Sequence, residues 1–198
     1  MIKVPQLYII SGCNGAGKTT ASYTILPEIL ECKEFVNADE IARGLSPFQP
    51  EKVAIEAGKI MLKRIDELIK EKTNFAIETT LASKIHKNTI LLAREEGYFI
   101  TLVYFWLSSV KLAEERVNIR VKEGGHDIDR HVIERRYYAG IKNLFDIYLS
   151  IVDMALIFDN STVEHILIAE KTLNDKIQIT ENKLFSKILE KYDNKNKK

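Results

Sequence analysis

The sequence has little cysteine, no long apolar run and almost no net charge, and each shortage argues against a class of protein. Its two cysteines, Cys13 and Cys32, are too few for a disulfide framework and match no zinc-binding spacing. The reducing cytoplasm is therefore the expected compartment. No run of about 18 apolar residues occurs, so we expect no membrane-spanning segment.

The balance of charges argues against a nucleic-acid coat and against a polybasic membrane binder. The chain carries 29 Lys and Arg against 28 Asp and Glu, a net charge of +1 over 198 residues. Both of those functions need a large positive excess. We therefore expect neither a membrane nor a nucleic acid as a partner, while a local anion site remains compatible with this balance.

Short apolar runs alternate with amphipathic helical patterns, which predicts an α/β fold with a mostly parallel sheet and helices on both faces. Five strands are predicted, and Ile166–Ile168 is a candidate sixth strand at the sheet edge. The five lie near residues 7–10, 35–36, 75–77, 100–107 and 155–158. Pro27 is expected to end the first helix and to start a second short helical piece, because proline lacks the N–H that a helix needs.

The chain length predicts a single domain over residues 1–180. A charged C-terminal helix or tail follows over 181–198. Its last part, 187–198, holds five Lys and is expected to be a frayed, solvated end.

The segment from Gly12 to Thr19 reads GCNGAGKT and fits the phosphate-loop pattern G-x-x-x-x-G-K-[ST]. Its glycines let backbone N–H groups turn inward toward phosphate oxygens. Lys18 is expected to reach the β- and γ-phosphates, and the Thr19 hydroxyl to ligate Mg²⁺. A nucleoside triphosphate is the expected ligand, bound by Gly12, Asn14, Gly15, Ala16, Gly17, Lys18, Thr19 and Thr20.

The other motifs narrow the kind of phosphate-loop protein. The guanine-binding tetrapeptide Asn-Lys-x-Asp of GTPases does not occur, and a mechanical ATPase would need a longer chain. A small kinase remains. This predicts the three-layer α/β/α sandwich of the P-loop NTPases, with a five- to six-stranded sheet and a helical lid over about residues 109–148.

Polar side chains follow the second and third predicted strands, at the sheet edge where the phosphate loop also lies. Asp39 can accept the proton of an acceptor hydroxyl, or it can simply cap the helix that follows. Glu78 can hold the Mg²⁺ shell through water or hydrogen-bond the acceptor. The predicted acceptor-binding residues are Asn37, Glu78, Thr79 and Thr80.

A second set of candidates lies in and after the predicted lid. Five arginines between residues 116 and 136 could stabilise the transferred phosphate or belong to a solvated face. The segment from Gly124 to Asp127, which includes His126, suggests a hinge. Asp159 could end a Mg²⁺-binding strand, but we interpret it, with Asn160, as a turn near the nucleotide base.

These segments together resemble the zeta toxin family of P-loop kinases, in particular its shorter branch. The resemblance covers about residues 6–161 and rests on six segments. They are residues 12–19, 35–47 (FVNADEIARGLSP), 75–81 (FAIETTL), 124–127 (GGHD), 135–137 (RRY) and 159–161 (DNS).

The resemblance implies a reaction and roles for individual residues. ATP with Mg²⁺ would be the phosphoryl donor, Asp39 the general base, and Glu78 with Thr80 part of the acceptor site. Arg120 and Arg136 would reach the transferred phosphate. The resemblance also implies a candidate acceptor, the 3′-hydroxyl of the amino sugar in UDP-N-acetylglucosamine. It further implies an antitoxin protein that covers the nucleotide site.

Two other functions remain open from the sequence. Phosphate-loop kinases of this size can act on the 5′-hydroxyl of a nucleic acid, although the net charge argues against it. The chain could also be a nucleotide-gated binding module of a toxin–antitoxin pair, with no turnover of its own.

Overall fold

A sheet of seven strands runs through the residues that the computed structural model describes, namely 4–28, 30–125, 127–173 and 176–193. The strands are β1 Gln6–Gly12, β2 Glu34–Val36, β3 Phe75–Thr79, β4 Phe99–Trp106, β5 Met154–Asp159, β6 Ile166–Lys171 and β7 Ile177–Ile179. The helices are α1 Lys18–Glu28, α2 Ala38–Leu45, α3 Ala54–Lys70, α4 Ile85–Glu95, α5 Val110–Lys122, α6 Arg130–Asn143, α7 Leu149–Ile151 and α8 Asn182–Asp193. A 3₁₀ turn, Pro50–Val53, precedes α3, and a π-helical turn, Leu144–Tyr148, joins α6 to α7.

The strand order is β2-β3-β1-β4-β5-β6-β7, and β1 to β5 are parallel. The chain leaves β1 toward β3 and β2 but leaves β4 toward β5. The carboxyl ends of β1 and β4 therefore border a crevice, which is where open α/β sheets bind their ligands. Gly12 lies in register with Phe105 there, and Ser11 with Thr79.

The central strands are buried on both faces, as the short apolar runs of the sequence predict. Ile9, Ile77 and Leu102 are completely buried in β1, β3 and β4. Helices on both sides of a parallel sheet remove its strands from water, and burying a large aliphatic side chain contributes roughly 1.5–3 kcal/mol. The α/β class with a mostly parallel sheet is confirmed.

The predicted strand count and sheet edge were wrong. In the described residues the sheet has seven strands rather than five or six, because β7 pairs antiparallel with β6. The strand predicted at the edge is therefore an inner one. β7 is three residues long and exposed throughout, so its Ile-Gln-Ile alternation is too short to identify a strand from the sequence.

The prediction for Pro27 was also wrong, since this residue lies inside α1. The helix ends at the next residue, so the missing N–H affects only its last turn. The prediction of a frayed C-terminal end was wrong for the residues up to 193. Helix α8 continues to Asp193, with Phe185 8% exposed and Ile188 completely buried, while its charged residues face outward. No described helix is long and apolar enough to cross a membrane.

Candidate active site

The loop from β1 to α1 has the backbone shape that a phosphate cradle requires. Gly12, Gly15 and Gly17 have φ of 141°, 75° and 79°, in the region that side chains disfavour. Because of these conformations the chain curls between β1 and α1, and the first helical N–H groups face the loop. The sequence motif and the backbone shape therefore agree at this position.

Close packing against three neighbours fixes this loop. A Cβ on Gly12 would lie 2.3 Å from the Phe105 carbonyl oxygen in β4. One on Gly15 would lie 2.7 Å from the Ala113 carbonyl oxygen in α5, and one on Gly17 2.6 Å from Asn160 Nδ2. A cradle this tightly enclosed fits a polyphosphate held by backbone N–H groups.

Four polar side chains meet at the carboxyl ends of β1, β2 and β3. Glu78 Oε2 accepts hydrogen bonds from Thr19 Oγ1 at 2.8 Å and from Asn37 Nδ2 at 3.0 Å. Lys18 Nζ lies 3.6 Å from Glu78 Oε1 and donates to the Cys13 carbonyl oxygen at 3.0 Å. The Lys18 and Glu78 side chains are only 7% and 8% exposed, so this charge pair is largely shielded from water.

This cluster also fits a magnesium ion bound together with a nucleotide. The described residues contain no group of three or more His, Cys, Asp or Glu that could hold a metal ion by themselves. Mg²⁺ at nucleotide sites commonly uses one or two protein oxygens, substrate phosphates and water. The Thr19 hydroxyl and the Glu78 carboxylate are oxygens of the required kind.

Asn37, rather than Asp39, caps helix α2. Its side-chain oxygen accepts from the Asp39 N–H at 2.9 Å, which satisfies one of the free donors of the first turn. Asp39 itself is exposed, at the second helical position. Its charge raises the pKa of Arg136 against a larger lowering by burial. The capping alternative for Asp39 therefore falls away, and its carboxylate lies close enough to Arg136 to influence the pKa of that residue.

The two threonines after Glu78 shape the loop that begins there. Thr79 Oγ1 accepts from the Leu81 N–H at 3.1 Å, and Thr80 Oγ1 from the Ala82 N–H at 3.4 Å. Such hydroxyl-to-backbone bonds stabilise tight turns. Both hydroxyls are partly buried at the edge of the sheet where Glu78 lies.

The predicted lid arginines occupy different positions. Arg136 is half-buried in α6 and donates to the Asn14 side-chain oxygen in the phosphate loop at 3.2 Å. Arg116 in α5 donates to the Ser161 carbonyl oxygen at 3.2 Å. Arg120 lies one turn further along α5, against Gly125, and Arg135 is exposed.

The sequence left the role of Arg116 open, and the structure places it next to the phosphate loop. Its Cβ lies 3.2 Å from the position a Cβ would take on Gly15. In the sequence, the only indication of this contact is that Arg116 lies about one helical turn after Ala113 in α5.

Asp159 and Asn160 close the site on the side of β5. Asp159 Oδ1 accepts from the Ser161 N–H at 2.8 Å, and this carboxyl is 6% exposed. Asn160 Nδ2 donates to the Ala16 carbonyl oxygen at 2.6 Å. Both contacts belong to a turn that supports the phosphate loop. Thr20 is an exposed residue in the first turn of α1.

The segment predicted as a hinge ends helix α5 in a fixed conformation. The Gly124 N–H donates to the Val121 carbonyl oxygen at 3.0 Å and the Gly125 N–H to that of Arg120 at 2.8 Å. With φ of 90° at Gly124, this is the Schellman arrangement of a helix C-terminus. The glycines are therefore explained by helix capping, and His126 lies outside the described residues.

Burial governs the acid–base properties around the loop. The pKa of Cys13 is raised to about 11 chiefly by burial, which Lys18 opposes. This thiol is therefore protonated at neutral pH, which disfavours redox chemistry in the phosphate loop. The pKa of Tyr104 is raised well above its ordinary value by the same cause.

Comparison with known proteins identifies the family. A sequence model of the zeta toxin family matches residues 2–179. The chain belongs to the zeta toxin family. An uncharacterized protein of Haemophilus influenzae is 29% identical over 126 residues, which are 64% of this chain and 88% of that protein.

Two solved structures show how far the fold is shared. A chain of the AvrRxo1-ORF1:-ORF2 complex with ATP matches 93% of this chain at 18% identity and a TM-score of 0.75. The present chain spans 63% of that chain's length. A chain of the PezAT toxin–antitoxin system of Streptococcus pneumoniae matches 99% of this chain at 17% identity and a TM-score of 0.67, and the match covers 89% of the PezAT chain. Together the family match and the shared fold support a P-loop kinase fold.

Proposed function

We propose that this zeta toxin homologue transfers the γ-phosphoryl group of ATP to a hydroxyl of a small molecule. The observation that carries the proposal is the cluster around Glu78. There the phosphate loop is joined through Thr19 to the carboxyl ends of β2 and β3. Donor-binding and acceptor-binding groups would thus share one crevice. A UDP-N-acetylamino sugar is the first acceptor to test, because of the family.

On the donor side, the loop N–H groups and Lys18 would hold the phosphates, with Gly12, Asn14, Gly15, Ala16, Gly17, Thr19, Thr20, Asp159 and Asn160 forming the nucleotide site. Without a nucleotide, Lys18 contacts the Cys13 carbonyl oxygen and the Glu78 carboxylate. Phosphate oxygens would replace both contacts when ATP binds. Mg²⁺, held by Thr19 and Glu78, would neutralise charge on the phosphates when bound.

On the acceptor side, Asp39 would take the proton of the attacking hydroxyl as the bond from that oxygen to the γ-phosphorus forms. The bond between the γ-phosphorus and the bridging oxygen breaks, and ADP leaves. Arg136 and Arg120 would stabilise charge on the transferred group. Asn37, Glu78, Thr79 and Thr80 would bind the acceptor.

We also propose the organisation around this reaction. Residues 1–180 would act as one kinase domain with the lid at about 109–148, and 181–198 as a charged C-terminal helix or tail. The protein would work in the cytoplasm. An antitoxin is the proposed protein partner, since the PezAT structure is that of a toxin–antitoxin system.

The proposal is tested by incubating the protein with labelled MgATP and a panel of UDP-N-acetylamino sugars, nucleosides and 5′-hydroxyl oligonucleotides. We expect labelled product with a sugar nucleotide. In Asp39→Asn we expect transfer to fall by about 10²–10⁴-fold, with nucleotide affinity retained. Glu40→Gln, next to it and paired with Arg43, is the matched control and should remain active.

Other outcomes would contradict parts of the proposal. Label on the oligonucleotide would indicate a nucleic-acid end kinase. ATP bound without transfer to any acceptor would indicate a nucleotide-gated binding module. Wild-type activity of Asp39→Asn would contradict the assignment of the general base.

A further inference from the structure

Helix α6 and the π-helical turn contact the loop between β3 and α4, residues 80–84, at three points. A Cβ on Gly140 would lie 2.6 Å from the Thr80 carbonyl oxygen. Asn143 Nδ2 donates to the Leu81 carbonyl oxygen at 2.7 Å, and the Tyr148 hydroxyl donates to that of Ser83 at 2.7 Å. Three successive turns of one helical segment thus follow the backbone of this loop.

The loop has a conformation that its own sequence disfavours. Leu81 has a φ of 56° and is completely buried. A residue with a Cβ in the left-handed region costs of order 1 kcal/mol or more, and such residues persist where their surroundings hold them. The Asn143 amide, which is 7% exposed, provides such a hold by bonding the Leu81 carbonyl oxygen.

The π-helical turn Leu144–Tyr148 explains how two residues five apart reach the same loop. In an α-helix with 3.6 residues per turn, side chains five apart point about 140° away from each other. The wider π turn reduces this angle, and such turns are frequent at functional sites. Asn143 just before the turn and Tyr148 at its end therefore both donate to carbonyl oxygens of the β3–α4 loop.

The same helix carries Arg136, one turn before Gly140. Arg136 Nη1 contacts Asn14 of the phosphate loop, while Gly140 contacts Thr80. One rigid element thus spans the phosphate side and the acceptor side of the crevice. Tyr137 ties it to the sheet, because its hydroxyl donates to the Leu107 carbonyl oxygen at 2.7 Å.

We propose that Asn143 and Tyr148 are positioning residues. They fix Thr80 and the backbone that follows Glu78 relative to Arg136, so that acceptor and transferred phosphate meet at a set distance. This inference rests on the proposed kinase function for its catalytic consequence. The mechanical part, that these two residues hold the β3–α4 loop, stands on the contacts alone.

Tyr148→Phe and Asn143→Leu test the proposal, and Tyr98→Phe is the matched control. Tyr148→Phe removes a single hydroxyl and retains the ring, so it remains informative if Asn143→Leu fails to fold. Tyr98 is likewise buried, and its hydroxyl donates to the Leu68 and Thr73 carbonyl oxygens at 2.8 and 2.9 Å. It lies before β4, at the opposite end of the sheet from the crevice.

Two measurements are made on the full chain. Amide hydrogen exchange at Leu81 and Ala82, followed by NMR without nucleotide, should accelerate about ten-fold or more in both variants and stay unchanged in Tyr98→Phe. In the transfer assay with the sugar nucleotide, the acceptor KM should rise about ten-fold with the KM for MgATP unchanged. A purely structural defect would not separate these two constants.

The outcomes are distinguishable from a failure of the kinase proposal. Exchange needs no acceptor, so it decides whether the two residues hold the loop even if no transfer occurs. Unchanged exchange at Leu81 and Ala82, or equal acceleration in Tyr98→Phe, would overturn the positioning role. Accelerated exchange with an unchanged acceptor KM would overturn its catalytic consequence.

Discussion

Thr19 and Glu78, 59 residues apart in the chain, are joined by a hydrogen bond of 2.8 Å. It links the first turn of α1 to the end of β3. Glu78 also lies 3.6 Å from Lys18, so its negative charge balances the positive charge of that lysine before any ligand enters. In the proposed complex a nucleotide phosphate would take over this role.

Glu78→Gln should destabilise the protein mainly when nucleotide is absent. Without nucleotide we expect the free energy of unfolding to fall by about 2–3 kcal/mol, because buried Lys18 loses its counter-charge. Saturating ATP should reduce the difference, since phosphate replaces the carboxylate. Urea unfolding with and without ATP measures both values.

The control for this variant is Glu34→Gln. Glu34 pairs with Arg64 at 3.0 Å, but both side chains are more than a third exposed. Such surface pairs contribute at most about 1 kcal/mol, with no dependence on nucleotide expected. An equal loss in the two variants would contradict the proposed role of the Lys18–Glu78 pair.

Alanine at two glycines should have opposite effects. Gly17→Ala places a Cβ 2.6 Å from Asn160 Nδ2 at a φ of 79°, so we expect ATP binding to be lost. Gly58→Ala, inside α3 with no neighbour within 4 Å, should raise the free energy of unfolding by about 0.5–1 kcal/mol. Calorimetric titration with ATP and urea unfolding measure the two effects. Retained ATP affinity in Gly17→Ala would be incompatible with the cradle.

The stability should fall in mild acid because of His86. Burial lowers the pKa of His86 to about 4 in the folded protein, whereas the unfolded chain takes up this proton near pH 6.5. Stability is complete above that pH and is lost as the pH falls toward 4, by about 2 kcal/mol between pH 7.5 and 5. His86→Leu should flatten this part of the curve, and the exposed His131→Gln should not. Parallel curves for all three proteins would refute the assignment.

The two thiols should react slowly in the native protein. Burial raises the pKa of Cys13 and that of Cys32 to about 11, so little thiolate exists at pH 8. We expect alkylation by iodoacetamide to be at least about a hundred-fold slower than in urea. Bound ATP should slow Cys13 further. Rapid native labelling of Cys13 would instead support redox control of the loop.

The phosphate loop and the central strands were predictable because each depends on local sequence. Gly12 to Thr19 has a fixed spacing, and β1, β3 and β4 are apolar runs buried on both faces. Family resemblance added residue roles that spacing alone left open.

What could not be predicted depends on contacts between distant segments. That Asn37 caps α2 follows from its backbone conformation, not from its residue type, since Asp39 is equally suited as a cap. The contact of Asn143 with Leu81 joins positions 62 apart and leaves no local pattern. The lysines of α8 give its sequence the composition of a solvated tail, so the buried Ile188 does not stand out in it.

Helix α8 has a consequence for how the gene can be shortened. Phe185 packs edge-on against Phe145 of the π-helical turn, and the Tyr192 hydroxyl donates to Asp146 of the same turn at 2.6 Å. A stop codon placed at position 182 to trim the basic terminus would uncover this aromatic contact. The shortened product would expose apolar surface beside the helix that carries Arg136, and it would be prone to aggregate in the cell.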